Sequence, residues 1–522
     1  MSSLMKKFLK GLGLLLLIVL VGLLIWGYNN LKDRNPGYSA DLKIVNPTAS
    51  GLKAGFAAFT ITPEVPDRWT DKNNDAKYKP DDGDTYTDGN GNGVFDPVWI
   101  AGFSNSRAAN GIHDDLWART MVIDDGKTRI AIVAIDAIGF FNDDVIDIRS
   151  RIPKETGITY AIIASNHDHE APDLMGIWGE SPFKSGVNKA YMEHVKNQVV
   201  KSIVSAVEKM RPARLSVSED LTGAIPLVMD TRKPDVMDPG LRIIKATDKE
   251  NGTVLGSLIS WADHPETLWS KNLLISSDFP HYVREGVEKG IFKNGTLVKP
   301  GIGGVAVYIN GAIGGLMTTH PDLTIKDPET GHEFSKPSFE KAEAQGKALA
   351  LLALNAMDKP VEVIDSAGIS LIAKTIYFPL GNKMFQLGAT MGTLDRGTTG
   401  WMKMRSEISA FNIGPLSFVT IPGEVYPEII NGGVEAPEGR DFAIAPLETP
   451  PVRSMMKGKY KFVFGLANDE IGYIVPRSQW DVDAPFAYGR KDSPYGEENS
   501  LGPETAPLLH GHVKALLKEL NQ

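Results

Sequence analysis

The sequence has no cysteine in its 522 residues. This absence excludes disulfide bonds, thiolate metal ligands, cysteine nucleophiles and lipid anchors attached through cysteine. A bound metal would therefore need His, Asp, Glu or Tyr side chains or backbone oxygens. Acidic residues also outnumber basic ones: the chain has 64 Asp and Glu and 55 Lys and Arg, for a formal charge of −9. That balance disfavours anionic polymers and surfaces, so we predict no nucleic-acid partner.

Long linkers are absent as well. No Pro-, Gly- or Ser-rich stretch is long enough to separate two cores, and we detect no internal repeat. At roughly 150 residues per domain the length alone allows three or four units, or fewer if one is a large enzyme. Hydrophobic residues at 42% and charged residues at 23% are close to globular averages and exclude a disordered or fibrous protein. We therefore predict one large domain over residues 51–522.

The N-terminus carries a long apolar run. Three lysines precede an uncharged stretch over residues 11–27, which as a helix would span ~25 Å. This order predicts a signal-anchor or transmembrane helix over residues 1–32, with a membrane as partner. By the positive-inside rule the lysines stay in the cytoplasm, so the domain that follows the helix is expected on the extracytoplasmic side, periplasmic or extracellular.

A cleaved signal peptide is the alternative. Cleavage needs small residues just after the apolar core, but bulky Trp26 and Tyr28 follow it, and residues 38–40 offer only a weak late site. We expect an uncleaved anchor, with secretion after cleavage as the alternative. Residues 33–50 would then form a flexible tether that keeps the domain within roughly 25 Å of the bilayer.

An insertion over residues 71–96 is rich in Asp, Asn and Gly. Its centre places Asp88, Asn90 and Asn92 at positions one, three and five, followed by Gly, like the front half of an EF-hand calcium loop. Asp96 could add an oxygen, but position twelve lacks the bidentate acid. A structural Ca²⁺ site and a solvated, turn-rich insertion are both open readings.

Beyond residue 100, apolar runs alternate with helical patterns. Residues 129–136 and 159–165 are strand-like, and the amphipathic stretch 143–151 between them predicts a βαβ unit. The fold class is therefore α/β: a single large mixed α/β catalytic domain with its site at strand C-termini, preceded by one N-terminal transmembrane helix. The other predicted strands are 254–261, 304–309, 416–421 and 461–466, and the other predicted helices are 338–357 and 505–520.

Polar groups that can bind metals follow several of these strands. His167 and His169 follow the second strand and His264 the third, and Glu424 and Tyr473 follow later ones. Because ligand crevices in open α/β sheets form at the carboxyl ends of the strands, we expect these segments to converge on one site. Two imidazoles and a carboxylate, without a thiolate, suit a catalytic zinc that keeps one position open for water.

Six segments occur in a characteristic order: GFAAFTITP at 55–63, GIHDDLWAR at 111–119, NHDHEAP at 166–172, SWADHP at 260–265, VTIPGE at 419–424, and the stretch 466–475. In this order they resemble the neutral ceramidase family, zinc-dependent hydrolases of N-acylated sphingoid bases. The resemblance covers about residues 50–520. It implies a zinc-dependent hydrolase that cleaves N-acyl amide bonds in lipid-like substrates.

The resemblance also implies a role for individual residues. The implied zinc ligands are His167, His264, Glu424 and Tyr473, and the residues implied to contact the reacting amide are His169 and Arg232. The implied mechanism is attack by zinc-bound water on a scissile carbonyl that the metal polarises. His169 would stabilise the oxyanion or relay a proton.

The chain departs from the family pattern in two places. Gly315 occupies the position of a family serine, and the aspartate before that serine is also missing. The C-terminal immunoglobulin-like domain of the ceramidases is expected to be missing too. These departures leave open a hydrolase of other amides or esters, and a membrane-tethered inactive relative or binding protein with a structural zinc.

The expected substrate follows from the anchor. Attachment to a bilayer raises the local concentration of amphiphilic substrates, but it does not raise the concentration of a freely soluble amide. We therefore expect a lipid-like N-acyl substrate in an apolar groove lined by Trp178, Trp269 and Phe279, which lie beside the presumed zinc segments. The alternative is that these aromatic residues belong to the core.

Overall fold

The computed structural model describes residues 3–293, 295–315 and 317–522. Its helices and strands form a mixed α/β fold, as predicted. The helices are α1 (Ser3–Leu31), α2 (Asn142–Arg151), α3 (Lys189–Glu208), α4 (Phe279–Lys289), α5 (Phe339–Met357), α6 (Lys383–Met391), α7 (Pro427–Asn431), α8 (Val452–Met455), α9 (Tyr495–Glu498) and α10 (Thr505–Leu520).

The strands are numbered in chain order. They are β1 (Asp41–Ile44), β2 (Ser50–Gly51), β3 (Lys53–Thr60), β4 (Arg68–Thr70), β5 (Thr85–Thr87), β6 (Trp117–Asp124), β7 (Arg129–Ile135), β8 (Tyr160–Ser165), β9 (Arg211–Asp220), β10 (Met229–Asp230), β11 (Leu241–Asp248), β12 (Val254–Trp261), β13 (Gly290–Lys293), β14 (Thr296–Pro300), β15 (Val305–Asn310), β16 (Met317–Thr318), β17 (Ile325–Lys326), β18 (Glu333–Phe334), β19 (Glu362–Ile364), β20 (Ser366–Ala367), β21 (Ile369–Pro379), β22 (Lys403–Ile413), β23 (Leu416–Thr420), β24 (Glu424–Val425), β25 (Tyr460–Phe464) and β26 (Tyr473–Ile474).

Two sheets make up the body of the domain. The larger has nine strands in the order β15-β12-β11-β9-β3-β6-β7-β8, with β19 paired to β9. The smaller has five strands in the order β1-β21-β22-β23-β25. The parallel pairs in these sheets are β7 with β8, β12 with β15, and β23 with β25. Each of these pairs sends two strand C-termini, and the loops that follow them, to the same edge of a sheet.

The structure confirms the predicted βαβ unit and the other predicted elements. β8 is buried along its whole length and β7 at every position after the first, which explains their continuous apolar sequences, because a parallel pair covered on both faces has no solvent side. α2 connects them and begins one residue before the predicted start. The remaining predicted strands and helices are confirmed to within two residues at each end.

The two sheets share an apolar core. Phe411, Phe418 and Phe462 of the smaller sheet stack with ring centroids 4.3 and 4.9 Å apart, and Ile123 and Val217 of the larger sheet belong to the same core. α3 packs on β3 and β6, α4 and α5 on the β9–β15 side, and α10 on β21. Close packing of this kind holds the strands rigidly, and with them the loops at their ends.

The two ends of the larger sheet approach each other. β8 and β15 stand at opposite ends of the strand order, yet they are in contact. Asn310, at the end of β15, donates through Nδ2 to the backbone oxygen of Asn166 at 2.9 Å and to that of Asp263 at 2.8 Å. One buried amide thus ties together the loops that follow β8, β12 and β15.

Residues 33–50 differ from the flexible tether expected from sequence, because they pack on the domain. β1 pairs with β21 along the edge of the smaller sheet. Asp33 forms an ion pair with Arg405 at 2.9 Å, and the hydroxyl of Tyr38 donates to Glu407 at 3.0 Å. In β1 the backbone N–H and C=O groups find hydrogen-bond partners in β21, whereas the polar sequence suggested that they would be hydrated. The domain therefore lies directly against the end of α1.

α1 is long and apolar enough to cross a membrane. Its 29 residues contain an 18-residue window of mean hydropathy 2.7, of which no part is buried. At 1.5 Å per residue the helix is ~44 Å long, against ~30 Å for the hydrocarbon core of a bilayer. By length and composition α1 is a candidate for a membrane anchor or a signal sequence.

Candidate metal centre

Four loops that follow parallel strands meet at the carboxyl edges of the two sheets. His167 lies two residues after β8, and His264 lies three residues after β12. Glu424 and Tyr473 are direct partners at the start of the short parallel strands β24 and β26, which follow β23 and β25. All four side chains are buried. The structure thus brings together the four residues predicted as zinc ligands.

The polar atoms of these residues surround one point. His264 Nε2 lies 3.0 Å from Glu424 Oε2 and 3.3 Å from the hydroxyl of Tyr473. His167 Nε2 lies 3.5 Å from the same Glu424 oxygen. Nitrogen and oxygen donors from four loops therefore converge within hydrogen-bonding range, as they must if they are to share one metal ion.

The other nitrogen of each imidazole contacts the backbone. His167 Nδ1 lies 2.7 Å from the carbonyl oxygen of Ile138, and His264 Nδ1 lies 2.6 Å from that of Met317. A carbonyl oxygen can only accept, so Nδ1 is the donor in both rings. This arrangement directs Nε2 toward the centre, and hydrogen bonds of this kind orient histidine ligands in metal sites.

The backbone turns sharply at His167. Its φ is +66°, in the left-handed region, which costs a residue other than glycine roughly 1–2 kcal/mol. The chain has thus left the extended conformation of β8. The rings of His167 and His169 are nevertheless close, with centroids 4.9 Å apart. Local strain of this kind persists where the surrounding structure enforces it, often at functional sites.

His169 completes a cluster of three buried histidines. One ring nitrogen from each of His167, His169 and His264 can be chosen so that all three lie within 4.8 Å of one another. Within the described ranges, neither ring nitrogen of His169 has a hydrogen-bond partner. A buried polar atom without a partner is costly, so these nitrogens fit a site that holds a ligand. The donor set is therefore compatible with a metal ion.

Burial and nearby charges shift the pKa values of these histidines in opposite directions. Burial lowers the pKa of His167 to about 4. Burial also opposes a charge on His264, but the hydrogen bond to Glu424 and the charge of Glu266 outweigh it and raise the pKa to about 9. At neutral pH a proton on His264 Nε2 therefore competes with a metal for the same lone pair.

Glu266 is a functional candidate that sequence reasoning did not single out. One of its oxygens lies 3.5 Å from His169 Nδ1, and the other accepts a hydrogen bond from the hydroxyl of Thr318. Burial raises the pKa of Glu266 to about 6, although the charge of His264 opposes the shift. A carboxyl group with this pKa can exchange protons near neutral pH. Its position two residues after His264 is the signal that could have found it.

A buried ion pair supports the loop that carries His169. The guanidinium of Arg107 pairs with Glu170 at 2.6 Å and also donates to the backbone oxygen of His169. Asn272 donates a further hydrogen bond to Glu170 at 2.7 Å. Sequence reasoning missed this pair because Arg107 lies 63 residues before its partner and belongs to no recognisable motif.

Arg232, predicted to contact the amide, is not brought to the histidines. Its Nη2 donates to both oxygens of Glu428, at 2.6 and 2.7 Å, and its guanidinium lies over the ring of Tyr426. Arg232 lines a neighbouring cavity, whereas the preceding Thr231 lines the cavity around the histidines. Gly315 has φ +81°, and a Cβ there would lie 2.8 Å from Arg232 Nη2. A side chain at the family serine position would therefore displace this arginine.

A cavity of about 390 Å³ adjoins the metal centre, within the range of small-molecule sites. Apart from the residues of the metal centre, most residues that line the cavity are apolar. Trp178 and Trp269 line it, as predicted for the groove. The other apolar residues of the wall are Phe103, Ile138, Phe141, Met175, Ile177, Phe385, Leu394, Met404, Ile471, Tyr495 and Leu501.

The prediction that Phe279 lines the groove is wrong. Phe279 is the first residue of α4, and its side chain is fully buried between α4 and the larger sheet. Its ring packs edge-on against Trp261 and Tyr308, with centroids 5.7 and 5.8 Å apart. Proximity in sequence to Trp269 did not carry over into space, because Phe279 begins α4 and lies on the side of that helix that packs in the core.

The Asp88 loop is exposed and is closed by its own hydrogen bonds. The carboxylate of Asp88 accepts from the backbone N–H of Gly93 at 2.7 Å. The side-chain amides of Asn90 and Asn92 donate to Asp96 at 2.8 and 2.6 Å. These are contacts of a turn-rich loop, and calcium binding here stays a prediction. Titration of calcium into the wild-type protein and the Asp88→Ala protein tests it.

Comparison with known proteins identifies relatives of the fold. No protein-family model matches the sequence. The chain is similar to the neutral ceramidase of Pseudomonas aeruginosa, with a TM-score of 0.62 and 15% identity over 90% of this chain and 75% of that one. It is also similar to a ceramidase complexed with C2, with a TM-score of 0.63 and 16% identity over the same shares. At this identity the likeness is one of fold, and the chain has a ceramidase-like α/β fold.

Proposed function

We propose that the protein is a zinc-dependent amidohydrolase that cleaves N-acyl amide bonds in lipid-like substrates. The observation that carries the proposal is the convergence of His167, His264, Glu424 and Tyr473 beside a largely apolar cavity. Four potential ligands on four separate loops are hard to explain by packing. The ceramidase-like fold supports the same reaction class.

Zinc suits these donors. Imidazole, carboxylate and phenol groups are hard or borderline ligands, and the chain has no thiolate to add. We assign His167, His264, Glu424 and Tyr473 as the residues that would hold it. A zinc ion in such a site supplies Lewis acidity and lowers the pKa of water toward ~7.

The chain's own residues would bind and orient the amide and transfer the protons that its hydrolysis requires. The buried carboxyl of Glu266, with a pKa of about 6, can accept a proton near neutral pH. The Nδ1 of His169 lies 3.5 Å from this carboxyl, and the ring of His169 is close to that of His167. This position supports a role for His169 in hydrogen-bonding the reacting carbonyl or its leaving group. The apolar wall would exclude water from the acyl chain.

The substrate class follows from the cavity and α1 together. Trp178 and Trp269 line an apolar wall suited to an acyl chain, and α1 could hold the protein at a bilayer, where such amphiphiles are concentrated. Gly315 stands where the resembling family has serine, so other N-acyl amides and esters belong among the substrates to test. The same glycine favours the second candidate function, a membrane-tethered binding protein with a structural zinc.

The anchor forms a further part of the proposal. Residues 1–32 would remain as the membrane anchor, with residues 51–522 as the catalytic domain on the extracytoplasmic side. The measurement is fractionation after a high-salt wash, which should leave the intact chain in the membrane fraction. Recovery of soluble protein that begins near residue 41 would instead show that a signal peptide is removed.

The experiment that tests the activity is a screen of N-acyl amides and esters with the zinc-loaded, detergent-purified chain. Hydrolysis should be lost in Glu424→Ala and retained in His510→Ala. His510 is a matched control, because it is a buried histidine outside the metal centre, hydrogen-bonded to the backbone oxygen of Pro450. Bound zinc without hydrolysis of any substrate in the panel would favour the binding-protein candidate.

A further inference from the structure

The last turn of α1 docks on the catalytic domain. Gly27 is buried, and a Cβ there would lie 3.2 Å from Thr390 in α6, so only glycine allows this close approach without a shift. Asn30 Nδ2 donates to the backbone oxygen of Thr390 at 2.9 Å. The backbone oxygen of Leu31 accepts from both the amide and the hydroxyl of Thr398. The end of α1 is therefore fixed to α6 and to the turn that follows it.

α6 is apolar on two faces. Its inner side contributes Phe385 to the cavity wall and Ala389 to the core. Its outer side presents Met384 and Leu387, which are 66% and 44% exposed, three residues apart and so on one face of the helix. An apolar outer face is unusual for a surface helix, because water should favour polar residues there.

Aromatic side chains cluster in the same region. Trp401 is 84% exposed and lies in the turn that follows Thr398, one of the residues bound to α1. Trp26 and Tyr28, near the end of α1, are also exposed. Trp and Tyr concentrate at membrane–water interfaces, where the ring is apolar and its polar atom is hydrated. Their position at the end of the apolar helix marks the level of that interface.

We propose that the outer face of α6 and Trp401 form a second membrane contact, which holds the cavity wall against the bilayer that contains α1. We assign the bilayer as the partner of this surface, because the surface adjoins α1, the one described helix able to span a bilayer. A rigid connection through residues 33–50 keeps the domain in this orientation. The inner side of α6 would then face an acyl-binding cavity while its outer side faces lipid.

This arrangement would bring the cavity close to membrane lipid. Phe385 and Leu387 lie two residues apart on opposite sides of one nine-residue helix. α6 would then stand between the cavity and the bilayer, with Phe385 toward the cavity and Leu387 toward lipid. The contact itself does not depend on the proposed function, since it concerns only where the domain sits on the membrane.

The absence of native cysteine makes the test direct, since single-cysteine variants can be labelled in the full chain. Leu387→Cys is compared with Leu297→Cys on the β13–β14 hairpin, where the leucine is similarly exposed at 48%. Each variant carries an environment-sensitive fluorophore and is reconstituted in phosphatidylcholine vesicles with or without brominated acyl chains. Brominated lipid should strongly quench the label at position 387 and leave that at 297 unchanged, while aqueous iodide should show the reverse.

Two outcomes would overturn the proposal. One is equal quenching of both labels by iodide, with no effect of brominated lipid, which would place α6 in water. The other is a label at 387 shielded from both quenchers, which would indicate a protein partner or a second copy on this face. Circular dichroism checks that both variants are folded.

If substrates are known, Leu387→Glu should slow the hydrolysis of vesicle-borne substrates and leave the hydrolysis of short soluble substrates unchanged. Quenching by brominated lipid in a protein that hydrolyses no substrate would separate this contact from the proposed function.

Discussion

The cavity has two ends of opposite character. At the polar end, His167, His264, Glu424 and Tyr473 follow strands directly. Glu424 lies 3.0 Å from His264 and 3.5 Å from His167, and Tyr473 lies 3.3 Å from His264. At the apolar end, the wall comes mainly from connecting loops and from α6, which is bound to α1, with Met404 of β22 and Tyr495 of α9. Because the two ends are built from different elements, we expect the chemistry to depend on the polar end and the choice of acyl chain to depend on the apolar end.

Glu424→Gln should have the largest effect, because it removes the one carboxylate among the four proposed ligands while preserving side-chain shape. We expect kcat/KM to fall about 10³-fold, since a catalytic metal contributes several kcal/mol and each 1.36 kcal/mol is tenfold in rate. Kinetics at saturating zinc and with a chelator measure this loss. Activity within tenfold of wild type would remove Glu424 from the polar end.

Glu266→Gln should lower kcat by about 10²-fold with zinc retained, as expected for loss of a general acid–base group. Burial raises the Glu266 pKa to about 6, and the base is the deprotonated form, so wild-type activity should rise as pH increases through 6. The variant should lack this acidic limb. A pH–rate profile with the limb intact in Glu266→Gln would assign the proton transfer to another group.

Zinc affinity should also depend on pH. The pKa of His264 is about 9 in the metal-free protein, because Glu424 and Glu266 outweigh burial. Below pH 9 zinc must displace that proton, so affinity should fall about tenfold for each pH unit below this value. Titration calorimetry in buffers of different ionisation enthalpy should show proton release near pH 7. Binding without proton release would contradict this protonation state.

Substitutions at the apolar end should alter chain-length preference rather than catalysis. Trp178→Ala with Trp269→Ala should raise KM for long-chain substrates, by about fourfold for each methylene that loses contact, because a buried methylene contributes ~0.8 kcal/mol. Phe279→Ala is the control. It should destabilise the fold by about 3–5 kcal/mol without changing the preference. Equal losses for long and short chains in the tryptophan variant would remove the groove from this account.

The convergence of the residues at the polar end could be predicted from the sequence, because the strands that position them are locally encoded. The continuous apolar runs of β7, β8 and β12 set strand bounds, and strand bounds place His167 and His264 at a common edge. Arg232 could not be placed in this way, since its surroundings depend on Glu428, 196 residues away.

The apolar end was less predictable, because it depends on contacts between residues that are far apart in the sequence. The contact between Asn30 and Thr390 joins residues 360 positions apart, and no local pattern encodes such a contact. The segment over residues 33–50 looks like a polar tether because its partners, including Arg405, lie far along the chain. Phe279 likewise gave no local sign of whether its ring faces the cavity or the core.

Zinc content tests the central claim most directly. Elemental analysis is applied to the wild type, His264→Ala and His510→Ala proteins after equilibration with zinc and removal of the free metal. The wild type and His510→Ala should each hold one zinc ion per chain, and His264→Ala should hold none, because it loses a ligand that lies within hydrogen-bonding distance of both Glu424 and Tyr473. A His264→Ala protein that binds zinc as the wild type does would contradict the metal centre described for these four residues.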